Sequence, residues 1–489
     1  MGTELPAWVE LLRWIDWSLR AAICLRVVLS RRQVPVVLAW LMLLLVPIPW
    51  LGVITYIIVG EPRLGQRRLR RYMQLTEGFL ERAVVFWKAR PLEWQPECEP
   101  YRHISRVAQL VGGLPPVRGN SVRFLGGWKE TLRALIKDID EAKETCHILQ
   151  YIWQPVGVGD LVAQAVERAA RRGVKCRILV DSVGSKKFMR SDLPARMRAA
   201  GVQVAEALPV NLLRRPFSRV DLRNHRKIMV IDGRIAYTGS QNITDDTFKF
   251  NPIRKIGPWI DASVRLEGMA AAALDMVFLR DWYSEVHENL EEAVHHLLPD
   301  DMPVPMEGCT VHIVPSGPGQ ALAPMREAML STIYSAREEL ILTTPYFVPD
   351  DAMKAALTTA ALSGVDVTLV VPKHSDAPTT AAAGRSMYSE LLESGVKIKL
   401  FRNGLLHAKT VTVDSDVAVI GSANLDSRSF YLNFEVTALV YDPDEASLLR
   451  MLQVSYMEES DDLFLEDWIR RPAWRKVSEH TAKLLGPLL

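Results

Sequence analysis

The pattern His-x-Lys-x4-Asp occurs twice in this chain, 182 residues apart: His225, Lys227 and Asp232 form the first copy, His407, Lys409 and Asp414 the second. Each copy is followed at the same distance by a Gly-Ser-x-Asn tail, Gly239 to Asn242 and Gly421 to Asn424. One His-x-Lys beside an apolar run carries little information, because chance supplies it readily. Two copies in register with the same tail point to two like halves. A pseudo-twofold arrangement of those halves would bring two histidines, two lysines and two Ser/Asn pairs to one place.

The residues around each copy predict a hairpin. Ile228-Met229-Val230-Ile231 runs into Asp232-Gly233 and out through Arg234 to Thr238, and Thr410 to Val413 runs into Asp414-Ser415-Asp416 and out through Val417 to Ile420. If each motif starts on its strand, His and Lys, two apart, share one face. Asp232 and Asp414 fall at the turns, where a carboxylate caps backbone N–H groups. They complete the motif, and their role is read as structural.

The repetition extends outward. A strand is predicted over 147–151, an amphipathic helix over 159–172 and a strand over 173–181; the second half repeats this over 340–346, 351–362 and 364–371. Gly173 and Gly364 end the two helices as C-cap glycines. Each half is thus an α/β unit, with the proline-rich stretch from Pro299 to Pro305 as the seam. The expected organisation is a membrane anchor and basic segment over 1–72, a first half over 73–300 and a second over 301–489.

The formal charge of +2 is close to balance, which argues against a dedicated nucleic-acid binder. Cys24, Cys98, Cys146, Cys176 and Cys309 are scattered and form no C-x-x-C pair, so neither a disulfide framework nor a zinc site is expected, and a reducing compartment suits them. From Gln33 to Gly60 there are 28 residues without a charge, which at ~1.5 Å per helical residue exceed a ~30 Å hydrocarbon core. This reads as a membrane segment. Pro47 and Pro49 interrupt it, leaving two threadings: a kinked span, or a re-entrant pair of half-helices whose freed carbonyls neighbouring protein satisfies. Trp8 to Leu29 is apolar but contains Glu10, Arg13, Asp16, Arg20 and Arg26, a load better suited to an amphipathic interfacial helix. Arg63, Arg67, Arg68, Arg70 and Arg71 outnumber Arg31 and Arg32 on the other flank, which favours a cytoplasmic catalytic region and attraction to anionic headgroups.

Several stretches resemble, in order and spacing, the phospholipase D superfamily, and within it the bacterial cardiolipin synthases. They are Leu222 to Lys227, Trp259-Ile260-Asp261, Thr344 to Asp350, Leu405 to Thr410, Gly421 to Asp426, Arg428-Ser429-Phe430 and Leu432 to Glu435, with Pro487-Leu488-Leu489 at the end. The resemblance covers nearly the whole chain. It departs at the start, where the family commonly has two hydrophobic segments and this chain's first is charged. It implies an α/β fold of two pseudo-symmetric phospholipase D-like halves packed around one active site, behind an N-terminal hydrophobic α-helical anchor. The activity implied is transfer of a phosphatidyl group between two phosphatidylglycerols, giving cardiolipin and glycerol through a phosphohistidine. The implied partners are phosphatidylglycerol and the anionic surface of the bacterial inner membrane; homo-oligomer formation is compatible with this reading.

The residues suit that chemistry. Lys227 and Lys409 supply positive charge for a phosphodiester, and Ser240, Asn242, Ser422 and Asn424 would add neutral donors, each worth about 3–4 kcal/mol in a preorganised transition state. No metal or other cofactor is expected. The resemblance makes His225 the nucleophile and His407 the acid/base; the internal symmetry of the sequence leaves both assignments open. Asp261 and Glu435 match the family's orienting carboxylates, which would accept the second ring N–H of each histidine. Leu212 to Phe217 mixes apolar and basic residues and would either dip into the interface or form an irregular loop, while His287, His295 and His296 are assigned no role. Two rivals remain: a phospholipase D or nuclease using the same residues with water as acceptor, and a non-catalytic scaffold, which would not need both motifs intact.

Overall fold

The computed structural model describes residues 6–28, 34–46, 48, 50–60, 92, 94–209, 219, 221–246, 248, 256–286, 288, 307–318, 320 and 322–484. The chain divides into two compact units, residues 1–67 with 210–222, and residues 68–209 with 223–489. The Arg63–Arg71 cluster, the Pro299–Pro305 seam, Leu212 to Phe217, and His287, His295 and His296 lie outside the described residues.

In the first unit the charge-free run does not form one long helix. It forms α2 (Val34–Leu45) and α3 (Leu51–Val59), of 12 and 9 residues, after α1 (Ala7–Val28). At ~1.5 Å per residue each half-helix falls well short of a ~30 Å core. Among the described residues no helix is long and apolar enough to cross a membrane.

The physical reason lies in α1. Arg20, buried, donates to Asp16 Oδ2 at 2.8 Å and to the carbonyls of Leu44, Val46 and Ile48 at 2.7 Å each. The other oxygen, Asp16 Oδ1, accepts the Trp50 N–H at 3.1 Å. One ion pair therefore satisfies backbone groups that the break between α2 and α3 would leave bare. Close packing helps: a side chain at Gly52 would collide with Leu43 O at 2.8 Å, and Trp40 meets Tyr56 edge-on at 5.1 Å. Two of the charges that made α1 a poor span are thus internal, while Trp8, Trp14, Trp17 and Leu25 point outward and are exposed.

The second unit carries the duplication. Its first half contributes β1 (Val117–Gly126), β2 (Thr145–Gln150), β3 (Lys175–Asp181), β4 (Gln203–Ala207), β5 (Arg223–Asn224), β6 (Ile228–Ile231), β7 (Ile235–Gly239), β8 (Trp259–Ile260) and β9 (Ala262–Glu267). The second half contributes β10 (Cys309–Ser316), β11 (Glu339–Thr343), β12 (Phe347–Val348), β13 (Asp366–Pro372), β14 (Lys397–Phe401), β15 (Leu405–Leu406), β16 (Thr410–Val413), β17 (Val417–Gly421), β18 (Leu425–Asp426), β19 (Asn433–Tyr441) and β20 (Ser460–Leu463). β1 and β10 pair antiparallel, fusing the halves into a 16-stranded sheet. Outward from that seam the order is β1-β9-β7-β6-β2-β3-β4 on one side and β10-β19-β17-β16-β11-β13-β14 on the other, with β20 added at the second edge. The two orders correspond strand for strand.

The local devices repeat too. Helices Val158–Arg171 and Asp351–Leu362 end at Gly173 (φ 96°) and Gly364 (φ 97°), left-handed positions that glycine adopts without strain. Past each, the next N–H reaches back to a helix carbonyl, Val174 to Ala169 at 3.2 Å and Val365 to Ala360 at 3.1 Å, the Schellman closure. Both hairpin turns place φ above zero at two successive residues, Asp232 and Gly233 in the first and Asp414 and Ser415 in the second. Helix Met269–Val286 is buried along nearly its whole length against the sheet and anchors the largest core cluster.

Candidate active site

Two short parallel pairings cross between the halves and set the site. β5 pairs with the start of β19, Arg223 opposite Asn433 and Asn224 opposite Phe434, and His225 N–H then donates to Phe434 O at 2.9 Å. β15 pairs with β8, Leu405 opposite Trp259 and Leu406 opposite Ile260, and His407 N–H donates to Ile260 O at 2.7 Å. The His-x-Lys segments therefore bridge the halves in extended backbone, and the long hairpin strands begin only after each lysine, at Ile228 and Thr410. This corrects the expectation that His and Lys sit on the strand itself.

The register delivers each histidine to a carboxylate of the opposite half. His225 Nδ1 lies 3.0 Å from both Glu435 oxygens, and His407 Nδ1 lies 2.6 Å from Asp261 Oδ1. A buried Nδ1–H donated to a carboxylate fixes the tautomer and leaves Nε2 free. Behind each carboxylate stands a serine: Ser240 Oγ donates to Asp261 Oδ1 at 2.6 Å and Ser422 Oγ to Glu435 Oε2 at 2.5 Å. The serines were expected to face the phosphate. Their single hydroxyl protons are instead engaged by the carboxylates, so they hold the histidine partners in place.

A cavity of about 240 Å³ is lined by His225, His407, Asn242 and Asn424 together with Tyr151, Arg223, Trp259, Tyr346, Asp376, Asp426 and Arg428. Asn242 Oδ1 accepts the Ile152 N–H at 3.1 Å, while its Nδ2 and Asn424 Oδ1 have no hydrogen-bond partner among the described residues. Lys227 and Lys409 are buried, each donating to the carbonyl of its own histidine at 2.8 and 2.6 Å. Tyr151 packs against His225 with ring centroids 4.8 Å apart, and Trp259 against His407 at 4.5 Å.

Burial dominates the electrostatics. It pushes both imidazoles down to about 4, against the pull of Glu435 on His225; Lys409 beside His407 adds to the depression there, and Asp261 opposes it. Burial likewise lowers Lys227 to about 7 and Lys409 to about 8. For Glu435 and Asp261 burial alone would favour the neutral acid, but the adjacent histidine, lysine and serine outweigh it and hold both below the usual carboxylate range. The resting site thus pairs carboxylates with neutral imidazoles.

Asp232 and Asp414 lie away from this cavity. Asp232 accepts the N–H groups of Lys143, Glu144 and Thr145 at 2.7–3.2 Å, and Asp414 those of Arg337, Glu338 and Glu339 at 2.8–3.2 Å. Each clamps the chain entering β2 or β11. A larger cavity, about 760 Å³, opens at the other ends of β2 and β3 among Lys143, His147, Arg177 and Asp232, and neither motif histidine lines it. Among the described residues, no group of three or more His, Cys, Asp or Glu side chains is placed to hold a metal ion.

Sequence reasoning gave no site role to the remaining wall, Tyr151, Tyr346, Asp376 and Asp426 with Arg223 and Arg428, although all but Asp376 fall in stretches it singled out. The available signal was positional. Tyr151 follows β2, and Asp376 follows β13, at the carboxyl ends of parallel strands where α/β sheets bind ligands.

Two repeated α/β halves sharing one paired His/Lys site define a phospholipase D-type fold. The family described as "Cardiolipin synthase, PLD-like domain" matches residues 135–252 and 329–453, one block in each half. Cardiolipin synthase A of Yersinia pseudotuberculosis serotype O:1b (strain IP 31758) is 41% identical over 488 residues, spanning 97% of this chain and 97% of that protein, and Cardiolipin synthase A of Yersinia pestis matches to the same extent. Among solved structures, phosphatidylserine synthase from Haemophilus influenzae Rd KW20 is similar in fold, with a TM-score of 0.59 and 16% identity, covering 79% of this chain and 100% of that one. The chain belongs to the cardiolipin synthase family, a phosphatidyltransferase family of the phospholipase D superfamily.

Proposed function

We propose that this enzyme joins two phosphatidylglycerols into cardiolipin, releasing glycerol. The observation that carries the reading is the crossed pairing of His225 with Glu435 and His407 with Asp261, which presents two tautomer-fixed imidazoles to one cavity. Nε2 of neutral His225 attacks the phosphorus of the first lipid, and the departing glycerol oxygen takes a proton from His407. Binding of the anionic diester favours the protonated form of His407 beforehand. A glycerol hydroxyl of the second lipid then returns its proton to His407 and attacks the phosphohistidine, regenerating both residues. Lys227 and Lys409 balance the charge on the non-bridging oxygens and Asn242 and Asn424 donate to them through Nδ2, while Ser240 and Ser422 hold the orienting carboxylates.

One diester bond replaces another, so the exchange needs no nucleotide, and confinement of both substrates to a bilayer raises their effective concentration. The N-terminal unit suits attachment to the bacterial inner membrane. Its outward tryptophans and leucines would meet lipid, with α2 and α3 entering as a re-entrant pair.

The test is product analysis with purified protein in phosphatidylglycerol vesicles. Cardiolipin and free glycerol should form in equal amounts, and excess glycerol added to cardiolipin should regenerate phosphatidylglycerol by mass action. Phosphatidic acid as the dominant product would make water the acceptor and the enzyme a hydrolase.

A further inference from the structure

The catalytic parts obey the pseudo-twofold relation, but the walls of the cavity do not. At the end of β3, on the first half's side, the carboxylate of Asp181 is turned inward and buried, accepting the N–H groups of Val183, Gly184 and Asn224 at 2.9–3.0 Å. Beyond β13, Asp376 instead lines the cavity. Tyr346 O–H donates to its Oδ1 at 2.6 Å, and Oδ2 accepts no hydrogen bond from any described residue. Asp426, the other carboxylate on this wall, is engaged as the cap of helix Ser427–Tyr431, accepting the Ser429 N–H at 2.7 Å. The orphan Oδ1 of Asn424, a residue only 6% exposed, belongs to the same half and the same cavity.

These groups are acceptors, and a fixed carboxylate repels a phosphate. What they can bind is a hydrogen-bond donor. Asp376 lines the same cavity as His407 and lies close enough to Lys409 to favour its charged form. Resting on the synthase reading above, we propose that Asp376, positioned by Tyr346 and supplemented by Asn424, binds the glycerol hydroxyls of the departing and the incoming headgroup.

The geometry makes chemical sense of the asymmetry. Microscopic reversibility puts the leaving glycerol and the attacking glycerol hydroxyl in the same place, on one side of the phosphorus, with His225 on the other. With the neighbouring glycerol hydroxyl donated to Asp376, the reacting hydroxyl gives its proton to His407 Nε2. Its oxygen bonds to phosphorus as the P–N bond to His225 breaks, and the electron pair of that bond returns to the imidazole. Water needs no such holder, so this subsite decides between transfer and hydrolysis.

The experiment compares the wild-type chain with Asp376→Ala in phosphatidylglycerol vesicles, reading the ratio of cardiolipin to phosphatidic acid. That ratio should fall by about ten- to hundredfold, the range of one hydrogen bond to a charged group. On phosphatidyl-p-nitrophenol, which has an activated leaving group in place of the glycerol headgroup, the variant should lose less than about threefold, well under one such bond. Tyr346→Phe, which frees the carboxylate to rotate, should shift the ratio in the same direction by less. An unchanged ratio from a wild-type enzyme that makes cardiolipin overturns the subsite alone, as does equal loss on both substrates, which marks a structural role. A defect confined to vesicles containing phosphatidylethanolamine would assign Asp376 to an ammonium group and overturn the glycerol assignment. Wild-type protein that yields only phosphatidic acid removes the synthase reading and the subsite with it.

Discussion

His225 and Glu435 are 210 residues apart in sequence and 3.0 Å apart in space, and neither half of the chain pairs its motif histidine with a carboxylate without the other. Replacing Glu435 with Gln keeps the shape but removes the negative charge that fixes the Nδ1–H tautomer. We expect turnover on phosphatidylglycerol to fall by about 10²–10⁴, and Asp261→Asn to act likewise on His407. His225→Ala and His407→Ala should each abolish product, measured as cardiolipin formed by protein that still elutes as a folded species. A variant of either histidine retaining a tenth of wild-type turnover would exclude a two-histidine mechanism.

The pH dependence follows from the direction of the shifts. Burial holds His225 neutral down to about 4, so activity should fall only as pH drops through that region and the nucleophile becomes protonated. Lys227 and Lys409, lowered to about 7 and about 8, lose their charge as pH rises through that window, and the phosphate loses its counter-charge. His407 must be protonated to donate, and burial lowers it too, so the profile of kcat/KM should be a bell: activity is lost on the acid side as His225 takes up a proton near 4, and on the alkaline side as His407 gives up its proton and the lysines lose theirs through 7 to 8. Both limbs belong to the coupled set rather than to single residues. A profile still rising at pH 9 would contradict the role given to the lysines.

The turn aspartates should separate from the catalytic set. Each accepts three consecutive backbone N–H groups, and an alanine there would leave those donors bare while sitting at φ near 51–52°. Asp232→Ala and Asp414→Ala should each destabilise by about 2–4 kcal/mol, read from the denaturant midpoint. Turnover per folded molecule should stay within a few-fold of wild type. A hundredfold loss of turnover at unchanged stability would return these residues to the chemistry.

What the sequence made legible is what repeats or alternates. The two hairpins, the helix-ending glycines and the pairing of His225, Lys227, His407 and Lys409 into one site follow from local pattern and duplication. The roles of Ser240 and Ser422 did not, because a hydroxyl gives its proton to whatever the fold brings nearest, and only the cross-half register puts Asp261 and Glu435 there. Asp376 was hidden for a related reason: it lies in the part of the cavity where the halves differ, so duplication could not mark it. The N-terminal run shows the opposite case. Pro47 and Pro49 announced a break, but nothing in local pattern said that Arg20, more than 20 residues earlier, would satisfy it.

That clamp gives the last prediction. Arg20→Ala leaves the carbonyls of Leu44, Val46 and Ile48 without their donor and the Asp16 carboxylate without its buried counter-ion. Removing one partner of a buried pair costs about 3–5 kcal/mol, more than two short helices packed around Val27, Trp40, Leu44 and Tyr56 can be expected to absorb. Lysine cannot substitute, since a single ammonium lacks the planar fork that reaches Asp16 and three carbonyls at once. In membranes from cells expressing Arg20→Ala or Arg20→Lys, protease should cut the N-terminal 60 residues more readily than in wild type, and less protein should stay bound after a high-salt wash. Turnover of whatever protein is recovered in mixed micelles should remain, because the described residues that line the cavity of His225 and His407 all belong to the second unit. Wild-type protease resistance and retention in both variants would show that the α2–α3 break is held by something other than Arg20.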